Sequence, residues 1–288
     1  MCAAVTRVIL EVHNFCNRQC RWCPNSFLDR HSRLQLMSSV TYEKILRELS
    51  SGQYSHALMF GRYHEPLVDP IIIERVRLAR TLLPGVVLSM NTNGDYLEDQ
   101  ILSALDQAGL TELKIMQYLP NATEFTSPVA LRLCERTIRR LGYRAELYKH
   151  IPDEELCFRI DSGTSLRVTL HSENYNVTGL GCDRGGSLPG LSLFQRTEAC
   201  WAPHHEINID FDGSVMPCCN MLSDIPAHRS YILGNVGQLS LRDIYFGEAA
   251  RKVKDAASQA SPSLPPCRHC QYYWPSRLAD FERRKVVK

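Results

Sequence analysis

Cys16-Asn17-Arg18-Gln19-Cys20-Arg21-Trp22-Cys23 places three thiols in one short loop, separated by three and then by two residues. The loop follows Val8-Ile9-Leu10-Glu11-Val12, an apolar run that reads as a buried strand. Thiolates so close in sequence can wrap around one metal centre, and here there are three of them rather than four. A structural zinc site takes four protein ligands, usually from two paired knuckles. Three thiolates without a nearby fourth suit a [4Fe–4S] cluster that keeps one iron open for a small molecule.

The chain beyond that loop alternates strands with helices. Thr41 opens a helix with Ile45, Leu46 and Leu49 on one face, and residues 56–60 form a short apolar strand. Gly61-Arg62-Tyr63-His64-Glu65-Pro66-Leu67 follows, then a helix from Pro70 with Ile72, Ile73, Val76, Ala79 and Leu83 as its buried stripe. A strand over 86–90 runs into Asn91-Thr92-Asn93-Gly94. The pattern then predicts a helix over 98–108, a strand over 113–116, a helix over 128–141, and strands over 144–149 and 165–171. The stretch between the last two has no helical period. About six strands at this rhythm imply an α/β fold with a parallel sheet, better matched by an incomplete barrel than a closed one. In such folds ligands gather at the C-terminal ends of the strands, and the motifs at 16–23, 61–67 and 91–94 each follow a strand.

The cysteine loop resembles the C-x3-C-x-aromatic-C motif of the radical S-adenosylmethionine (radical SAM) superfamily, with Trp22 in the aromatic position. The resemblance implies a partial (β/α)6 TIM barrel in which Cys16, Cys20 and Cys23 hold a [4Fe–4S] cluster. SAM on the open iron is then cleaved reductively to a 5′-deoxyadenosyl radical that abstracts hydrogen. Gly61–Leu67 resembles the family's glycine-rich segment, which implies that Glu65 holds the SAM ammonium. Here Tyr63-His64 replace the usual glycine pair. Asn91, Asn93 and Gly94 match the family's element near the SAM ribose. Read without the family, Glu65 is a solvated loop carboxylate and Asn93-Gly94 a turn.

Composition fits this reading. The 288 residues are 44% hydrophobic and 22% charged, as in an ordinary globular protein. Lys and Arg total 33 against 31 Asp and Glu, a net charge of +2, which gives no electrostatic grip on nucleic acid or an anionic membrane. No apolar run reaches the ~20 residues needed to span a bilayer, and no signal peptide opens the chain. Twelve cysteines without a secretion signal point to metal or redox work in the cytoplasm rather than to disulfides.

A Gly- and Ser-rich segment over 172–199 reads as a hinge, giving a barrel over 1–180 and a smaller unit over 181–288. In the second unit Cys200 precedes a strand, an Asp212-Gly213 turn and a return strand ending in Pro217-Cys218-Cys219. Leu233-Gly234-Asn235-Val236, a helix over about 240–257 and Cys267-Arg268-His269-Cys270 follow. This order resembles the SPASM/twitch extension of radical SAM enzymes. The resemblance implies one auxiliary [4Fe–4S] cluster on Cys200, Cys218, Cys267 and Cys270, with Cys219 a buried thiol. Four thiolates with a Cys-x2-Cys pair would also suit zinc, the lesser alternative beside the N-terminal motif.

Gly181-Cys182-Asp183-Arg184-Gly185-Gly186 lies between the two units. Arg beside two glycines lets backbone approach a ligand while a planar cation bonds its oxygens. Twitch enzymes acting on aminocyclitols carry an Arg-bearing loop here, which implies a sugar or aminocyclitol substrate and a flavodoxin- or ferredoxin-type reductant. Cys182 reads first as the hydrogen-atom donor of a sugar or aminocyclitol epimerase, similar to the aminoglycoside epimerases of the hygromycin and neomycin type; the alternative for it is an inert buried thiol. Without a donor, the substrate radical loses a proton and an electron and the enzyme is a dehydrogenase. A peptide-modifying SPASM enzyme and a zinc-stabilised binding module are the further alternatives. Cys134 on a helix, Cys157 in an acidic loop and Cys2 are poorer donors.

Overall fold

The structure, a computed structural model, describes residues 5–177, 184–188, 195–260 and 263–270. Four strand–helix units open the fold: β1 (Arg7–Leu10) and α1 (Ser39–Ser51), β2 (Ala57–Phe60) and α2 (Ile72–Leu82), β3 (Val87–Thr92) and α3 (Asp99–Gln107), β4 (Glu112–Met116) and α4 (Ser127–Leu141). Local chemistry sets these boundaries. The Ser38 side chain caps α1 by accepting from the Thr41 N–H, and Gly142 ends α4 at a left-handed φ of 75°. β5 (Arg144–Ile151), β6 (Glu155–Asp161) and β7 (Arg167–Glu173) follow without a helix between them.

The C-terminal part supplies α5 (Ala202–His205), β8 (Glu206–Ile209), β9 (Ser214–Met216), β10 (Gly234–Asn235), α6 (Leu241–Phe246), α7 (Glu248–Ala257) and α8 (Pro265–Arg268). All strands form one sheet in the order β10-β9-β8-β1-β2-β3-β4-β7-β6-β5. Six of them, β8-β1-β2-β3-β4-β7, run parallel, the strands of a partial barrel. The sixth parallel strand differs from expectation in origin. It is β8, contributed from beyond residue 200 and paired with β1 in register Arg7↔Glu206 to Leu10↔Ile209.

Two further differences have local causes. The segment without helical period is an antiparallel hairpin, β5–β6, turning at Pro152-Asp153 with Asp153 at a φ of 56°. It places Cys157 on strand β6, buried, and not in an acidic loop. The expected helix over 240–257 is two helices, α6 and α7, because Gly247 is extended at φ −65°, ψ 167° and serves as the N-cap of α7. Helices α1–α4 cover the convex face, where Leu10, Leu46, Leu58, Val76, Leu88, Leu105, Leu113 and Leu170 share one buried core. The concave face keeps its polar residues, and there the site lies.

Candidate active site

Arg7, Met59, Asn91, Lys114, His171 and Glu173 project from the concave face into a cavity of about 840 Å³. Cys16, Cys20, Trp22 and Cys23 line it from the loop after β1, Tyr63, His64 and Glu65 from the loop after β2, and Thr92 and Asn93 from the end of β3. The three sequence motifs thus meet at one place. Burial pushes the Cys16 thiol up to about 11 and the Cys20 thiol up to about 12, with the neighbouring sulfurs adding to it. Thiols crowded and desolvated in this way are unfavourable as bare thiolates and suited to a shared cationic centre.

Glu65 is buried, not a solvated loop carboxylate. Its carboxylate accepts from Thr92 Oγ1 at 2.6 Å, the Asn93 N–H at 2.7 Å and the Leu67 N–H at 3.2 Å. Burial raises its pKa, and these hydrogen bonds oppose the rise. An arriving ammonium would act in the same direction as the hydrogen bonds. The Glu65 N–H donates to the Phe15 carbonyl at 2.9 Å, so the acidic residue and the cysteine loop are built against each other. His13 locks the same junction: Nε2 bonds the Glu65 carbonyl at 3.0 Å, and Nδ1 accepts from the Phe15 N–H at 3.0 Å. Only the neutral imidazole protonated on Nε2 makes both bonds.

The substituted glycine-rich segment is held by its side chains. Arg62 adopts a φ of 107°, a strained conformation for a side-chain-bearing residue. Its guanidinium is ion-paired with Asp210 in the C-terminal part. The Tyr63 N–H donates to Glu11 Oε1 at 2.9 Å, and its hydroxyl donates to the Cys219 carbonyl at 2.8 Å. Arg30, behind the cysteine loop, bonds both Glu11 oxygens, at 3.0 and 3.1 Å, and Asp224 at 2.9 Å. These bonds tie the cysteine loop, the β2 loop and the C-terminal part together.

Asn91 lines the cavity from β3. The Asn93 side chain is engaged inside the wall, its Nδ2 donating to Asn17 at 2.8 Å and its Oδ1 accepting from the Asp95 N–H at 2.9 Å. Gly94 is absent from the lining residues. It turns the chain at φ 78°, where an added Cβ would lie 2.8 Å from Ile115 Cγ2. Trp22 stacks on Tyr175 with ring centroids 4.9 Å apart and planes 3° from parallel, and Tyr118 lies 5.8 Å from Tyr175. Tyr118, Tyr175, Lys114, His171 and Glu173 are lining residues that the sequence reading missed. The signal available was the alternation Thr169, His171, Glu173 along one face of β7.

Arg184 lines the same cavity. Its guanidinium lies 5.6 Å from the Tyr63 ring centroid and donates to Asn220 Oδ1 at 2.9 Å. Asn220 Nδ2 in turn lies 3.3 Å from Cys270 Sγ. Cys200, Cys218, Cys267 and Cys270 line a second, smaller cavity together with Asn220. The four cysteines that the SPASM/twitch resemblance singles out thus line one cavity, and Asn220 bridges it to the first. Cys219 lies on the other side, lining the main cavity, with its thiol pushed up to about 12, chiefly by burial. Cys182 lies outside the described residues.

Comparison with known proteins agrees with this geometry. Residues 10–122 match the radical SAM superfamily, and residues 200–271 match the SPASM iron–sulfur cluster-binding domain. The S-adenosyl-L-methionine-dependent 2-deoxy-scyllo-inosamine dehydrogenase of Niallia circulans is 22% identical over 265 residues, covering 91% of this chain and 90% of that protein. The tungsten-containing aldehyde ferredoxin oxidoreductase cofactor-modifying protein of Pyrococcus furiosus is 25% identical over 237 residues, 77% of this chain and 60% of that protein. Among solved structures, BtrN in complex with AdoMet and 2-DOIA superposes with a TM-score of 0.70 at 18% identity, over 96% of this chain and all of that one. BtrN in an open conformation gives 0.61 at 17% identity, over 93% and 92%.

The chain belongs to the radical SAM superfamily. Within it, the C-terminal match and the second cysteine set place it in the SPASM/twitch subgroup, and it is an enzyme using SAM and two [4Fe–4S] clusters. The cavities fit these groups, since each holds one of the two cysteine sets. We propose Cys16, Cys20 and Cys23 as ligands of the first cluster and Cys200, Cys218, Cys267 and Cys270 as ligands of the second, with Glu65, Asn91 and Trp22 on the SAM side of the cavity. We place Asn93, which lines the cavity, on the same side, with the turn at Gly94 holding it there. Among the described residues no helix is long and apolar enough to cross a membrane.

Proposed function

We propose that the protein is a radical SAM dehydrogenase that oxidises a secondary alcohol of an aminocyclitol to a ketone, with electrons for SAM cleavage delivered by a flavodoxin- or ferredoxin-type reductant. The observation that carries this reading is the bridge Arg184–Asn220–Cys270 between the main cavity and the second cysteine set. Oxidation to a ketone requires a second electron to leave the substrate after the hydrogen atom has gone, and this bridge is a short path out. When bound, SAM and the first cluster supply the hydrogen-abstracting radical, and the second cluster supplies the electron acceptor. Arg184 presents a fixed cation to the substrate oxygen, favouring negative charge there as the alcohol proton leaves. Trp22, Tyr118 and Tyr175 form an aromatic wall that keeps water from the reacting carbon. The dehydrogenase of Niallia circulans, matched along nearly its whole length, supports the substrate class and the reaction.

The test is anaerobic turnover of 2-deoxy-scyllo-inosamine by the reconstituted protein. The expected product is the ketone, equimolar with 5′-deoxyadenosine. Equimolar 5′-deoxyadenosine accompanied by an epimer and no ketone would refute the oxidation.

A second reading, epimerisation, is favoured by one observation: Cys219, outside both proposed ligand sets, lines the cavity as a protonated thiol. Cys182, two residues before Arg184, is the other thiol able to return hydrogen to a substrate carbon. Under this reading Cys182→Ala or Cys219→Ala converts epimer formation into ketone formation. Under the dehydrogenase reading both variants yield the same ketone as the unsubstituted chain.

A further inference from the structure

Glu173 ends β7 at the strand's C-terminal end, the edge at which parallel β/α folds make their ligand contacts. Its side chain lines the main cavity and is 5% exposed. Lys114 Nζ approaches Oε1 at 3.3 Å, and His171 Nδ1 stands 3.9 Å from the same oxygen. Oε2 is buried and has no hydrogen-bond partner among the described residues. A buried carboxylate oxygen without a donor is costly, and where a fold retains one at a cavity wall a ligand is the natural source of the donor. His171 is no second cation, because burial, with Lys114 nearby, holds its pKa down to about 3. Tyr118 and Tyr175 stand close by as uncharged rings: burial pushes both phenols up, and the Glu173 charge adds to that. A carboxylate beside aromatic faces is the chemistry that receives an ammonium group.

We propose that Glu173 Oε2 receives an ammonium group of the substrate, so that Glu173 selects an amino-bearing cyclitol over its all-hydroxyl counterpart. This rests on the aminocyclitol reading and adds to it the atom that recognises the amine. Lys114 is a positioning residue, holding Oε1 so that Oε2 stays available to the ligand. A merely structural Lys114–Glu173 ion pair would give no preference between amine and hydroxyl.

The experiment compares 2-deoxy-scyllo-inosamine with the same cyclitol bearing a hydroxyl in place of the amine. Binding of each to the reconstituted, SAM-loaded protein is measured by anaerobic calorimetry. The unsubstituted chain should prefer the amine by about 10- to 100-fold, the range of one charge-assisted hydrogen bond. Glu173→Gln should abolish that preference by weakening amine binding, changing hydroxyl binding by less than about threefold. Glu173→Asp should keep a preference for the amine and Lys114→Met should reduce that preference without abolishing it, and iron content and SAM binding verify that every variant is folded. Equal binding of the two cyclitols by the unsubstituted chain, or a preference that survives in Glu173→Gln, overturns the inference alone. Failure of the unsubstituted chain to bind either cyclitol overturns the aminocyclitol reading, and the inference with it.

Discussion

His13 shows how a single residue can couple the cysteine loop to the acidic residue beside it. Both ring nitrogens are committed in the neutral form, and burial pushes the pKa down to about 4 despite the opposing charges of Asp69 and Glu11. A histidine whose folded-state pKa lies below its usual 6.5 contributes its full stability above 6.5 and loses it as pH falls from 6.5 towards 4. The loss should amount to at most about 3 kcal/mol. Urea denaturation between pH 7 and 4 should reveal it as a falling midpoint, and His13→Gln should flatten that fall. An equal slope in the variant would assign the acid sensitivity to other groups. Arg184 gives a second prediction at this scale. Its guanidinium donates to Asn220 and lies 5.6 Å from the Tyr63 ring centroid, contacts that a lysine ammonium cannot reproduce together. Arg184→Lys should therefore lower substrate turnover by about tenfold or more while sparing SAM cleavage without substrate. Parallel loss of both activities would make Arg184 a structural residue.

At the scale of elements, the sequence was most informative where spacing itself carries the chemistry. Cys16–Cys23, Glu65 and the end of β3 converge because each follows a parallel strand, and that alternation is visible as apolar runs separated by helical periods. What escaped notice has identifiable causes. β5 and β6 carry the alternation of a hairpin around Pro152-Asp153, but the acidic residues there suggested a loop. Gly247, which divides α6 from α7, sits inside an otherwise continuous helical pattern. Glu173, His171 and Lys114 carry no motif and acquire meaning only when β4 and β7 pair across the sheet. The turn after β3 is testable by itself. Gly94 is left-handed and closely packed, so Gly94→Ala should destabilise the fold by about 1–3 kcal/mol. It should also weaken SAM binding through the displaced Asn93 N–H, which bonds Glu65. Unchanged stability in chemical denaturation would mean that the turn relaxes freely.

Across the whole molecule, the two cysteine sets belong to one sheet. β8 joins β1 edge to edge, and Arg30, Arg62 and Tyr63 bridge to Asp224, Asp210 and Cys219. We propose that the division near residue 180 separates the two cluster chemistries rather than two independent folds. Anaerobic reconstitution should then give about eight irons per chain from the three-ligand and four-ligand sets. Changing Cys16, Cys20 and Cys23 together to Ala should halve that content and abolish SAM cleavage, leaving the second set loaded. Reductive SAM cleavage by the triple variant would contradict the ligand assignment.

The most direct test of the central claim is the fate of the reacting carbon in heavy water. With 2-deoxy-scyllo-inosamine as substrate, the product is isolated from a D2O reaction and analysed by mass spectrometry and NMR. Oxidation predicts a ketone with no deuterium at the reacting carbon and the abstracted substrate hydrogen in 5′-deoxyadenosine. An alcohol of inverted configuration carrying one solvent-derived deuterium at that carbon would contradict it.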